Sequence, residues 1–453
     1  MKDRLSQLID EKRAYFCRIS DEIWANPELN YREHKATEIL IKALAENGFE
    51  IEKDIIGIPT AFKATFGSGK PVIGFLGEYD ALDNLSQEAG NAERCPVVAG
   101  APGHGCGHNA IGTCCLAACV AMKEYMEENG LEGTIVYYGC PAEEQGCGKS
   151  FMTREGVFEG LDIAFAPHPM GYNTVFGTSA LANIQAEFTF KGIASHAAAA
   201  PEHGRSALDA AELMVIGVQF LREHVVQEAR IHHAFLDAGG VSPNVVQQSA
   251  KLLFYTRAPK SSQVREIFER MKKIAHGAAM MTETEVQIDI KSGMTEVISN
   301  PVLGELTADA WAELGPIPYS AESREIAAKM APTVGNTSGM DIDEGVPAFK
   351  LVDVAMAGST DVGDVSFVVP TIMIYFAGCA KGTPPHSWQF TAQSGSSIMH
   401  DGMIHTAKIM ALAAMKIVKD PSIADQAKDA LDALGLKYDC LIPAEIWPEI
   451  PEV

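Results

Sequence analysis

The chain has 453 residues, enough for two domains that each bury a sizeable core. Hydrophobic residues make up 47% and charged residues 21%, an ordinary globular balance, while a net charge of −23 argues against nucleic acid and anionic membrane surfaces as partners. The opening residues Met1 to Gln7 carry no apolar signal core, there is no apolar run of about 18 or more residues, and the ten scattered cysteines read as reduced thiols; together these predict a cytoplasmic protein.

The segment up to Asn26-Pro27 predicts a helix with Leu5, Leu8, Ile9, Ile19 and Ile23 on one face, and a second helix runs over 33–47 to Gly48. Short strands follow near 49–56, 60–66 and 71–77. The last, Val72 to Gly77, is a continuous apolar run of the buried kind and leads into Glu78-Tyr79-Asp80-Ala81-Leu82. Next comes Gly103-His104-Gly105-Cys106-Gly107-His108-Asn109, with Asn109 placed to cap a helix starting near Ala110. Strands at 134–139 and 162–166 then end in Pro141-Ala142-Glu143-Glu144 and Pro167-His168-Pro169. This alternation predicts an α/β catalytic domain, a mixed central sheet flanked by helices, with one functional edge.

Near residue 183 the pattern changes to strict alternation: Ile184, Ala186, Phe188 and Phe190 against Gln185, Glu187, Thr189 and Lys191. The order from there, strand, helix, two strands, helix, strand, predicts a smaller α+β lid or dimerisation domain inserted over 183–296. The catalytic domain is then 1–182 and 297–453, and the Pro-rich tail beyond about 436 is expected to be irregular.

Three features carry chemistry. In an extended loop, Cys106 and His108 point the same way and can share one ion. Adjacent Glu143 and Glu144 at a strand end point in opposite directions, so one can bind metal while the other serves as general acid and base. His168 and His386, the latter in Gly382-Thr383-Pro384-Pro385-His386-Ser387-Trp388, are imidazoles held by prolines after strands. Cys106, His108, Glu144, His168 and His386 exceed what one tetrahedral zinc needs and suit a pair of divalent ions, zinc or manganese, with nickel or cobalt also compatible. Asp80 is placed to orient His108 from behind. A metal-free alternative, Cys106 as nucleophile with His104 or His108 as base, leaves Glu144, His168 and His386 without a role.

Taken together, GEYDAL (77–82), GHGCGHN (103–109), PAEE (141–144), the Pro-framed His168, SHAAAAPEHGRSALDA (195–210), PNVV (243–246) and PPHSW (384–388) resemble the two-metal aminoacylase and carboxypeptidase family of metallopeptidases. Within it the chain resembles the amidohydrolases of indole-acetyl-amino acids and, through STDVGDVS (359–366) and GTPPHSWQ, the p-aminobenzoyl-glutamate hydrolase branch. The resemblance implies cleavage of N-acyl or N-aroyl amino acids or small peptides. It implies Cys106 as bridging ligand, His108, Glu144, His168 and His386 as terminal ligands, and Glu143 as acid and base. His196 matches a lid histidine that stabilises the oxyanion of a neighbouring site, and Asn244 and Arg257 match positions that hold the substrate carboxylate. It implies a homodimer or pairing with a homologous subunit. The alternative is then a non-turnover chain with a binding or regulatory role in such a pair. Asn109 departs from the His-Asp common among relatives.

Overall fold

The computed structural model describes residues 1–451. In chain order, the helices α1 (Lys2–Glu11), α2 (Arg13–Trp24) and α3 (His34–Glu46) precede strands β1 (Glu50–Lys53), β2 (Phe62–Ser68) and β3 (Val72–Glu78). Then come α4 (His108–Asn129), β4 (Gly133–Cys140), α5 (Gly148–Arg154), β5 (Ile163–Met170), β6 (Thr174–Val175) and β7 (Ser179–Ala180). The middle of the chain forms β8 (Ala182–Lys191), α6 (Ala207–Leu221), β9 (Arg230–Asp237), β10 (Ser249–Ala258), α7 (Ser261–Thr282) and β11 (Glu285–Met294). The remainder forms α8 (Pro301–Leu314), α9 (Ala321–Met330), β12 (Ala355–Met356), α10 (Val362–Val368), β13 (Thr371–Ala377), α11 (Trp388–Ser394), α12 (Ser397–Lys419) and α13 (Ser422–Asp432).

The first sheet has the order β1-β2-β4-β3-β5-β13-β6, and its four inner strands β4, β3, β5 and β13 run parallel. Parallel strands need both faces covered, which explains the apolar run of β3 and the nearly complete burial of β4 and β13. On one face α4 packs against β3 and α12 against α4, while α1 and α2 close over them. Because α4 is enclosed on nearly all sides it is apolar around much of its circumference, and Cys114, Cys115 and Cys119 serve there as small buried side chains. All ten cysteines are free.

The second sheet, β11-β8-β10-β9, is antiparallel. The alternation read at 183–191 is its inward face: Ile184, Ala186, Phe188 and Phe190 bury against α6 and α7, with Phe188 near Phe254 and Phe268. The other face stays wetter and carries Glu187 paired with Lys251.

Three local expectations are corrected. The opening helix is two: the backbone leaves helical geometry at Lys12 (φ −106°, ψ 9°), which re-aims α2 while α1 lies on α12 and α4. Helix α4 starts at His108 after a left-handed Gly107 (φ 76°), so Asn109 is not its cap; the Asn109 side chain is buried and donates to Ser20 Oγ (3.0 Å) and the Ser394 carbonyl (3.0 Å). His168 lies inside β5, whose pairing with β13 continues to Met170. Strand β3 pairs with β5 only as far as Phe75↔Phe165, so beyond that point β5 has a free side on which Pro167 and Pro169 break no ladder. That divergence opens the crevice in which the site lies.

Candidate active site

The four parallel strands each deliver one or two groups, at or just past their carboxyl ends, where open α/β sheets place their ligands. β3 delivers Glu78 and Asp80, β4 the Glu143-Glu144 turn, β5 His168, and the loop after β13 His386. The glycine loop before α4 adds Cys106 and His108. Gly107 is required there twice: its φ is positive, and a Cβ would lie 2.6 Å from Pro169 Cγ. His386, also left-handed (φ 57°), is held by its N–H on the Gly105 carbonyl (2.9 Å), which ties its loop to the glycine loop before α4.

Candidate ligand atoms converge in overlapping groups, each within 4.8 Å: Cys106 with His108 and His168, Cys106 with Glu144 and His386, and His108 with Glu143 and Glu144. The histidines are oriented from behind. His108 Nδ1–H donates to Asp80 Oδ1 (2.7 Å) and His168 Nδ1–H to the Pro169 carbonyl (2.9 Å), so both Nε2 atoms face the common space. Asp80 Oδ2 also accepts the Glu144 N–H (2.9 Å), fixing the carboxylate turn. His108 Nε2 and Glu144 Oε1 are buried without a hydrogen-bond partner among the described residues, although buried polar atoms are almost always paired. Orphaned imidazole nitrogen and carboxylate oxygen aimed at one point, beside a thiol, are a donor set that divalent cations satisfy. The residues present fit such ions.

Glu143 and Glu144 do not splay apart as their adjacency predicts. Ala142 is left-handed (φ 58°) and its N–H is held by buried Glu33 (2.9 Å), so the chain turns and both carboxylates reach the His108 group. Burial, together with Glu78 and Glu144, pushes Glu143 well above its ordinary value. Burial likewise raises Glu144 to about 7 against the pull of His108. For Asp80, burial opposes ionisation, but His108 outweighs it and holds the group below its ordinary value. Burial and the neighbouring His108 lower His168 to about 4, which keeps it neutral near pH 7.

Behind Glu143 lies a buried ionic cluster that sequence reasoning missed. Lys149 Nζ pairs with Glu78 (2.8 Å) and Asp361 (2.6 Å), and Glu78, Glu143 and Asp361 come within 4.8 Å of one another. Glu78 had a local signal: it lies two residues before Asp80, so the two point to the same side of the strand end. Lys149 and Asp361 look like surface charges until the fold buries them.

A cavity of about 310 Å³ contains Cys106, Glu143, Glu144, His168 and His386 and reaches Arg257 and Tyr255 on β10. Arg257 Nη1 donates to Ser359 Oγ (2.8 Å), so the second sheet supplies a guanidinium to the wall. His196 and Asn244 are not brought there. They stand in two adjoining loops outside the cavity, His196 Nδ1 accepting the N–H groups of Ala198 (3.2 Å) and Ala199 (3.1 Å) and the Asn244 carbonyl accepting the Ala197 N–H (2.9 Å).

The family described as Peptidase family M20/M25/M40 matches residues 74–444. The chain belongs to this family. The B component of p-aminobenzoyl-glutamate hydrolase from Escherichia coli (strain K12) is 39% identical over 98% of both chains. The mouse Xaa-Arg dipeptidase is 29% identical over 98% of this chain and 94% of its own. Among solved structures, an aminobenzoyl-glutamate utilization protein from Klebsiella pneumoniae matches with a TM-score of 0.63 at 17% identity, covering 90% of this chain and 98% of that one. A Bacillus subtilis protein described as a dinuclear metal binding peptidase from M20 family matches with a TM-score of 0.59 at 18% identity, covering 90% and 99%. These likenesses show the M20 fold, with its mostly parallel sheet and separate antiparallel sheet. As an M20 member the chain is a hydrolase of amide bonds. Among the described residues no helix is long and apolar enough to cross a membrane.

Proposed function

We propose that the chain hydrolyses the amide bond of N-acyl or N-aroyl amino acids, p-aminobenzoyl-glutamate among them, at the Cys106–His386 cluster. The observation that carries this reading is the convergence of buried, unpartnered ligand atoms with Glu143 in one cavity that also holds Arg257. Cys106, His108, Glu144, His168 and His386 would hold two divalent ions. The ions would supply Lewis acidity and positive charge beside the scissile carbonyl. Glu143 takes the proton of the attacking water and passes it to the leaving nitrogen. Asp80 holds His108 in one tautomer and orientation. Arg257 receives the substrate carboxylate with its planar fork. His196 and Asn244 act from a second copy of the chain, His196 on the oxyanion and Asn244 on the carboxylate; their position outside the cavity of their own chain supports a role in trans.

The test is amine release from p-aminobenzoyl-glutamate, acetyl- and indole-acetyl-amino acids and dipeptides, with added manganese or zinc and again with chelator. Metal-dependent release that chelation abolishes is the expected result; chelator-insensitive, alkylation-sensitive release would overturn it. A second reading is favoured by the names of two relatives: the A component of p-aminobenzoyl-glutamate hydrolase from Escherichia coli (strain K12) is also similar, 30% identical over 53% of this chain. If turnover appears only when a homologous chain is added, this chain is one half of a pair.

A further inference from the structure

The connection from Asp83 to Gly107, between β3 and α4, contains no helix or named strand. Long unstructured connections inside a compact unit are uncommon and usually functional. This one is pinned. Buried Gln87 donates through Nε2 to the Glu93 carbonyl (2.7 Å) and accepts the Cys95 N–H at Oε1 (2.8 Å). The Glu88 N–H returns to the Cys95 carbonyl (2.9 Å), and the Gly90 N–H reaches the Ala392 carbonyl on α11 (2.7 Å). The backbone of Arg94 is thus fixed from both sides.

Arg94 lines a groove of about 350 Å³ together with Asn84, Ser86, Ser387, Trp388 and His386. His386 also lines the catalytic cavity, and its side chain is 53% exposed, so the groove and the cavity meet at that one residue. Among the described residues the Arg94 guanidinium makes no ion pair and no side-chain hydrogen bond, in a chain with a net charge of −23. Of the acids on the same loop, Glu88 accepts from Asn91 instead (2.8 Å). An exposed, unpaired guanidinium on a groove that hydroxyl and amide groups and an indole also line offers a bidentate carboxylate site with an apolar wall for the carbon skeleton.

We propose that this groove is a second anion subsite: Arg94, assisted by Asn84, Ser86 and Ser387, receives a carboxylate of the substrate other than the one at Arg257, so that the enzyme favours amides carrying two carboxylates. The proposal rests on the amide-hydrolase reading above. The second carboxylate has two chemical sources, the side chain of an acidic amino acid or the far end of a dicarboxylic acyl group.

The experiment compares two substrate pairs on the metal-loaded protein: N-benzoyl-glutamate with N-benzoyl-glutamine, and N-(4-carboxybenzoyl)-glycine with N-benzoyl-glycine. In one pair the carboxylated member should be preferred by about tenfold or more, in KM rather than kcat, because the groove lies away from the reacting bond. Arg94→Ala should abolish that preference, Arg94→Glu invert it and Arg94→Lys retain part of it, and the responding pair identifies the source. An equal preference in wild type and Arg94→Ala overturns the subsite. Calorimetric titration of the same four compounds into Glu143→Gln, with and without Arg94→Ala, separates the two readings. Arg94-dependent binding without cleavage of any amide by the wild type sinks the hydrolase reading and keeps the subsite. Binding that does not depend on Arg94 overturns the subsite whether or not the amides are cleaved.

Discussion

At the carboxyl edge of the seven-stranded sheet, His108 Nε2 and Glu144 Oε1 are buried without a hydrogen-bond partner among the described residues and aim at one space; in the unit built on the four-stranded sheet, His196 and Asn244 stand outside that cavity. The first region is assembled from five segments of one chain. The second contributes Arg257 to its own cavity but holds its other candidate groups away from it. The difference separates groups that the fold of one chain gathers into a cavity from groups that it leaves outside.

The largest effect should come from Glu143→Ala, a loss of about 10,000-fold in kcat with metal content unchanged; metal lost with activity would make Glu143 a ligand instead. His196→Ala should lower kcat by about 100- to 1,000-fold. Mixing that variant with Glu143→Ala should restore activity, because one mixed site then holds both groups; no recovery would confine His196 to its own chain. Arg257→Ala should raise KM by about 10- to 100-fold while leaving kcat nearer wild type. Lys149→Met should cost about 3–5 kcal/mol in urea unfolding, since it leaves Glu78 and Asp361 buried without a counter-charge. The smallest effect lies outside both regions. Burial opposes the charge on His400, but its pair with Asp21 (2.8 Å), together with Cys17, outweighs burial and raises it to about 9. That stabilisation is full below the ordinary histidine value and fades as pH rises through about 9, so Asp21→Asn should destabilise by about 1 kcal/mol at pH 6 and much less at pH 10.

What the sequence made legible was local. The apolar run of β3, the period-two pattern of β8 and the glycine loop around Cys106 are signals written within ten residues, and the structure has strands and a loop there. Boundaries that depend on distant neighbours were not legible. Lys12 breaks a continuous helical pattern because α1 and α2 meet different parts of the layer above the sheet, and Asn109 abandons capping because Ser20 and Ser394 meet it in the core. His168 was expected beyond its strand because two prolines read as a stop, whereas the departure of β3 makes them tolerable. Lys149 and Asp361 were invisible for the same reason: a charge is read as exposed until the fold supplies its partners.

The single hydrogen bond from the His386 N–H to the Gly105 carbonyl has a consequence for biogenesis. Its two ends come from segments separated by the whole four-stranded unit and by α8 to β13. A chain emerging from the ribosome can therefore present Cys106, His108, Glu144 and His168 early, but it closes the pocket only once β13 has joined the sheet. A chain that stops short of β13 therefore lacks both His386 and the bond that joins its loop to Gly105.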